Sequence, residues 1–145
     1  MATYSFLEVF ATITGPGGSV NLASGAQSSD EGITIDFAEQ NNMTIGADGA
    51  PMHTLVANKS ASITARFLKT SPTNAALMGM MTMQTSGASN HGQNVLAIVN
   101  KASGDSTTAQ QVAFKKRPTI TYDKDGAMYE WSFDAGVVDT ALGTY

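Results

Sequence analysis

Residues 127–135 read Ala-Met-Tyr-Glu-Trp-Ser-Phe-Asp-Ala, and they alternate without a break: Tyr129, Trp131 and Phe133 fall on one side, Glu130, Ser132 and Asp134 on the other. A period of two marks a β-strand with one buried face. Upstream, Asp123-Lys124-Asp125-Gly126 supplies turn residues and Thr119-Ile120-Thr121-Tyr122 supplies β-branched and aromatic ones, so 119–135 reads as a β-hairpin. The same period recurs along the chain. Residues 4–14 place Leu7, Val9, Ala11 and Ile13 on one face and Phe6 and Phe10 on the other, then reverse at Gly15-Pro16-Gly17-Gly18 into 19–23. After a polar loop from Ser24 to Gly32, Ile33, Ile35 and Phe37 are expected to point inward and Asp36 outward. Ile63, Ala65 and Phe67 oppose Ser62, Thr64 and Arg66; residues 93–101 read as a central strand, and 107–116 alternate again up to Pro118.

Two stretches depart from this rhythm. Ser71-Pro72 is a helix start signal, and the run that follows holds Leu77, Met78, Met80, Met81 and Met83, so a helix is expected over about 72–85. It is apolar around most of its circumference, which requires cover on more than one side. Residues 41–59 form a long excursion with a short strand at 43–45 and a turn-rich tip, Gly46 to Pro51. Loops of more than about 12–15 residues in a compact domain are usually functional or disordered. Met43, Ile45, Met52, Leu55 and Val56 argue against disorder here.

About eight strands joined by hairpins, plus one helix, predict a mainly β fold: an antiparallel β-sandwich or barrel with one flanking α-helix. At 145 residues the chain is expected to form a single domain over 1–145, closing in a short arm at 136–145. Charged residues are 14% of it, against roughly 25% in ordinary soluble domains. A surface so poor in charge points to burial against other subunits. Eight Lys and Arg against twelve Asp and Glu give a net charge of -4, which argues against tight nucleic-acid binding. There is no cysteine, hence no disulfide, thiol nucleophile or Cys-based zinc site. The opening stretch has Glu8 amid its apolar residues and reads as a strand instead of a secretion signal; no apolar run is long enough for a membrane helix.

The search for chemistry returns little. Asp123-Lys124-Asp125-Gly126 resembles part of a calcium loop but lacks the further oxygen ligands, and Glu130 comes too early. His53 and His91 stand in separate loops without a partner histidine or carboxylate nearby in sequence. Gly15 to Gly18 lacks the lysine and the following helix of a phosphate loop. No G-x-S-x-G elbow is present, so neither enzyme nor cofactor is expected. The sequons at Asn42 and Asn58 are read as chance matches in the absence of a signal peptide. Lys115-Lys116-Arg117, the one basic run, reads as a solvated strand end or a set of inter-subunit ion pairs.

Three long segments, TYSFLEVFATITGPGGSV (3–20), MTIGADGAPMHTLVANKSASITARFLKTSPTNAAL (43–77) and AFKKRPTITYDKDGAMYEWSFDAG (113–136), resemble, in this order, tail tube proteins of contractile-tailed bacteriophages. The resemblance implies a fold similar to the haemolysin-coregulated protein of type VI secretion. It also implies a homo-oligomer: hexameric rings stacked into a hollow tube within a contractile sheath, with tail sheath, baseplate and tail terminator proteins as partners. DNA would pass through the lumen without specific binding, and the protein would belong to the virion tail, assembled in the host cytoplasm with no membrane contact. On that reading the 41–59 excursion, through Met43, Ile45, Asp48, Met52, Leu55 and Val56, is expected to reach the adjacent ring. The helix would meet a neighbour through Met78 and Met81, and Asp36, Glu130 and Asp134 would line the lumen, where carboxylates repel phosphate. The alternative is a monomeric β-sandwich binding module, for example one for carbohydrate, which requires an exposed aromatic platform.

Overall fold

The computed structural model describes residues 2–24 and 32–145. Seven strands form one curled antiparallel sheet: β1 (Val9–Gly15), β2 (Gly18–Ser24), β3 (Gly32–Phe37), β6 (Ala61–Leu68), β7 (Asn94–Asn100), β8 (Asp105–Lys116) and β9 (Met128–Ala141). Their order is β2-β1-β7-β8-β9-β6-β3. Two more strands, β4 (Asn41–Ile45) and β5 (Pro51–Leu55), pair only with each other, and α1 (Thr73–Gln84) is the helix. The polar loop expected between Ser24 and Gly32 falls almost wholly outside the described residues.

Alternation produces the core directly. Val9, Ala11 and Ile13 of β1, Ile63, Ala65 and Phe67 of β6, and Trp131, Phe133 and Ala135 of β9 are all buried on the concave face. Phe114 meets Trp131 edge-on at 5.9 Å between ring centroids and Phe133 at 5.0 Å, separations at which aromatic pairs attract beyond their area. Phe37 is exposed instead of pointing into the core, because β3 lies at the sheet's edge and its end overhangs small Ala61. Leu7 is exposed too: β1 begins only at Val9, after a 3-10 turn over Phe6–Glu8.

Strict alternation fails on β8, and usefully. Between Ala109 and Val112, β8 carries an extra residue relative to β7, with Gln111 at φ 55. A bulge adds twist and resets which side chains face inward. It lets Ala109 and Val112, three positions apart, both reach the core. On β9, Gly136 packs against Gln111, and the strand continues through this kink to Ala141. The expected arm at 136–145 is therefore mostly strand. Beyond it the chain is tied down by the Gly143 N–H on Asp105 Oδ1 at 2.7 Å and by Asn100 Nδ2 on the Tyr145 hydroxyl at 3.0 Å.

The expected hairpin over 119–135 does not form. Residues 127–135 lie in or next to β9, which pairs with β6 and β8, whereas 117–127 join no ladder. Strand propensity is satisfied only where a partner edge is within reach.

Helix α1 spans the concave face. Near its start Asn74 accepts the Trp131 indole N–H at 3.1 Å and donates to the Leu68 carbonyl at 2.8 Å. At its end Gln84 and Asn94 exchange amide hydrogen bonds of 2.6 and 2.7 Å, and Gln84 also donates to the Pro16 carbonyl at 2.9 Å. This clasp fixes α1 to β7 and to the Pro16-Gly17 turn, where Gly17 sits at φ 100. Both amides are buried. Asn94→Leu strands the Gln84 carbonyl and should cost about 1–3 kcal/mol. Adding Gln84→Leu should recover part of that loss in urea titrations; a double variant losing the full sum would show that the two groups are not coupled.

Candidate functional site

Four large exposed apolar side chains, Met43, Ile45, Met52 and Leu55, gather on the β4–β5 hairpin. Asn41 pairs with Leu55, Met43 with His53 and Ile45 with Pro51, and cross-strand partners share a face. One face thus carries Met43, Ile45, Pro51 and Leu55, with an Asn41–His53 side-chain hydrogen bond of 3.2 Å among them. The other carries Asn42, Thr44, Met52 and Thr54. Every residue of both strands is exposed, Leu55 at 88%. The tip is a built turn: Asp48 accepts the Ala50 N–H at 3.1 Å, and Gly46 and Ala50 close it at 2.9 Å. The excursion expected as a loop is a paired hairpin whose second strand begins at Pro51, where a missing N–H costs least. Val56 is half-buried at its base. Isolated two-stranded hairpins are marginal in water, and this one buries none of its strand side chains.

A second surface is polar. Asp36, Ser62 and Asp134 form one cross-strand row over β3, β6 and β9, and Arg66 pairs with Glu130 in another. The three carboxylates singled out in the sequence therefore share the side of the sheet opposite its buried residues. They are not equivalent, because Glu130 Oε2 accepts the Arg66 Nε–H at 2.9 Å. Asp36 and Asp134 are exposed.

The helix departs from expectation. Met81 is only 7% exposed and packs into the core with Leu77 and Met80, so it is not a surface residue. Met78 is half-buried. The outward side of α1 carries Ala75, Ala76, Gly79, Thr82 and Met83 instead. An apolar run without a polar face does not reveal which side turns inward, and sequence reasoning had no signal for it.

Sequence reasoning also missed an open cleft of about 970 Å³ beside β3, lined by Tyr4, Ile33, Ile35, Ile98, Thr107 and Leu142. It brings together segments far apart in sequence, from the sheet and from both ends of the described chain. Among the described residues no cluster of three or more His, Asp or Glu could hold a metal ion. Nor is any helix long and apolar enough to cross a membrane.

No curated protein matches the sequence. Solved structures share the fold at low identity. A chain of the sheath/tube terminator of an extracellular contractile injection system (PVC, extended state) is 11% identical with a TM-score of 0.62, covering 97% of this chain and 98% of that one. A chain of the anti-feeding prophage baseplate is 7% identical with a TM-score of 0.61, over 97% and 96%. A chain of the tail of an empty gene transfer agent particle, refined with C6 symmetry, is 12% identical with a TM-score of 0.59, over 99% of each. The sequence itself matches the profile of one family across residues 1–143. With its curled antiparallel sheet, packed α-helix and paired hairpin, this chain belongs to the bacteriophage PhiTE tail tube protein family, structural proteins and not enzymes.

Proposed function

We propose that six copies of this tail tube protein close into a ring and that rings stack into the hollow inner tube of a contractile phage tail, through which the genome passes into the host. The observation that carries this reading is the β4–β5 hairpin: Met43, Ile45, Met52 and Leu55 stand exposed on an element with no core of its own. A neighbouring copy in the adjacent ring is the cover that a stacked tube supplies, with Asp48 at the tip and Val56 at the base marking the hairpin's reach. The six-fold symmetry of the gene transfer agent tail supports the hexamer. The sheath/tube terminator and baseplate assemblies containing similar folds support sheath, terminator and baseplate proteins as partners. Assembly would take place in the host cytoplasm, and the finished product is a virion tail. In a closed ring each copy uses two different side surfaces, and the outward side of α1, next to Met78, is offered as one of them.

The face bearing Asp36, Asp134 and the neutralised Arg66–Glu130 pair is proposed to line the bore. A polyanion slides past carboxylates without the ion pairs that lysines would form. Tubes assembled from Asp134→Lys should retain duplex DNA at low salt and release it as salt rises, while wild-type tubes elute free of it. Equal retention by both would place Asp134 outside the lumen. The chain's single tryptophan is fully buried, which removes it from any carbohydrate platform and counts against the binding-module alternative.

A further inference from the structure

Lys115, Lys116 and Arg117 are exposed and form no ion pair among the described residues; the same holds for Asp36 and Glu39, at and just beyond the end of β3. Immediately after the basic run, residues 119–122 have the composition of a strand but no ladder partner, and Ile120 and Tyr122 are exposed, Tyr122 at 83%. Their backbone is not loose. Pro118 is buried, the Lys69 ammonium donates to the Thr121 carbonyl, and the same ammonium sits 4.2 Å over the Tyr122 ring. A strand-like segment is thus held in place outside any ladder, next to three cations with no ion pair among the described residues. Elsewhere on the molecule, β3 has one neighbour among the described residues, β6, and its other edge is open among them. Open edges are templates for another chain.

From these observations, and resting on the self-assembly proposed above, we infer that residues 119–122 of one copy add as an antiparallel strand to the open edge of β3 in a neighbouring copy. Antiparallel pairing brings Lys115, Lys116 and Arg117 of the first copy to the end of β3 that carries Asp36 and Glu39 of the second. The cations cannot serve their own β3, because Lys115 and Lys116 lie in β8 and both β9 and β6 stand between it and β3. The other open edge, β2, spans Gly18–Ser24 without a charged residue and offers them nothing. The contact joins two different surfaces, as a ring or a helical stack requires. It also withdraws the chain's one basic run from any polyanion and leaves Asp134 without a cation.

A charge swap tests this. K115E/K116E/R117E should fold as the wild type, since none of the three has an ion-pair partner among the described residues, and should lower the yield of sedimentable assemblies at least about tenfold. D36K/E39K should do the same, and mixing the two variants should restore assembly, because each supplies the charge the other needs. Unchanged assembly of either variant, or no rescue on mixing, overturns the inference. With no native cysteine in the chain, T121C and T34C chains mixed under oxidising conditions give a second readout, a cross-linked dimer absent from either chain alone. Assemblies that form while T121C cross-links to N21C on β2, or to neither, refute this contact and leave the tube reading standing. A chain that stays monomeric at every concentration refutes both.

Discussion

Replacing Met43, Ile45 and Leu55 together by serine is expected to abolish tube formation while leaving the monomer as stable as before. The reason is the separation of the hairpin from the core. All three side chains are exposed, and the buried apolar core, Trp131 and Phe133 included, lies in the other sheet and α1. Their removal deletes no intramolecular packing, so the unfolding midpoint should move by no more than the roughly 0.5 kcal/mol usual for surface substitutions. In the assembly each would lose the burial of a large apolar side chain, about 1.5–3 kcal/mol apiece. That loss is repeated at every subunit of a ring. Sedimentation and melting of the same preparation separate the two effects. Deleting Gly46 to Pro51 provides a second route, since it removes the tip and should leave a folded, soluble protein. Long tubes from either variant would end the hairpin's role, and a large fall in melting temperature would show that it supports the fold after all.

Trp131→Ala should show the opposite behaviour, a loss of the monomer itself. The indole is fully buried, packs edge-on against Phe114, and donates to Asn74, which in turn holds the Leu68 carbonyl at the end of β6. Truncation leaves a large cavity and an unpaired amide oxygen, and comparable aromatic-to-alanine changes cost about 3–5 kcal/mol. Domains of this size have total stabilities of about 5–15 kcal/mol, so the variant should be marginal or unfolded at 37 °C. Trp131→Phe preserves most of the volume and loses the hydrogen bond, so it should fall between. A loss below 1 kcal/mol in the alanine variant would mean that α1 and β9 are not held together through this residue.

How much of this could be read from the sequence depended on whether a feature is local. Period-two alternation placed β1, β6, β8 and β9 because a half-buried strand writes its burial into adjacent residues, and the unbroken apolar run at 95–99 placed β7 as a central strand. Ser71-Pro72 located the start of α1, although the cap position is taken by Pro72 itself and the Ser71 hydroxyl merely accepts the Thr73 N–H at 3.4 Å. Features decided by distant partners were not legible. Residues 119–122 have strand composition, yet no edge of their own chain reaches them. Gly136 looked like a terminus, but across from the Gln111 bulge it is the position at which β9 kinks and continues. The second half of the hairpin escaped because Pro51 read as part of a turn. Met81 was assigned outward because a helix apolar all round does not announce its inner side. The three carboxylates did fall on a single face, since alternation alone fixes that, but the Arg66–Glu130 pair needed the register of β6 against β9.

The central claim is that copies of this chain cover each other's exposed surfaces to build a hollow tube. Electron microscopy of the purified full-length protein over a range of concentrations tests it most directly. The account predicts ring-shaped particles with an open centre, stacking into tubes as concentration rises, with the hairpin between rings. Uniform monomers at the highest concentration, or filaments with a closed centre, would contradict it.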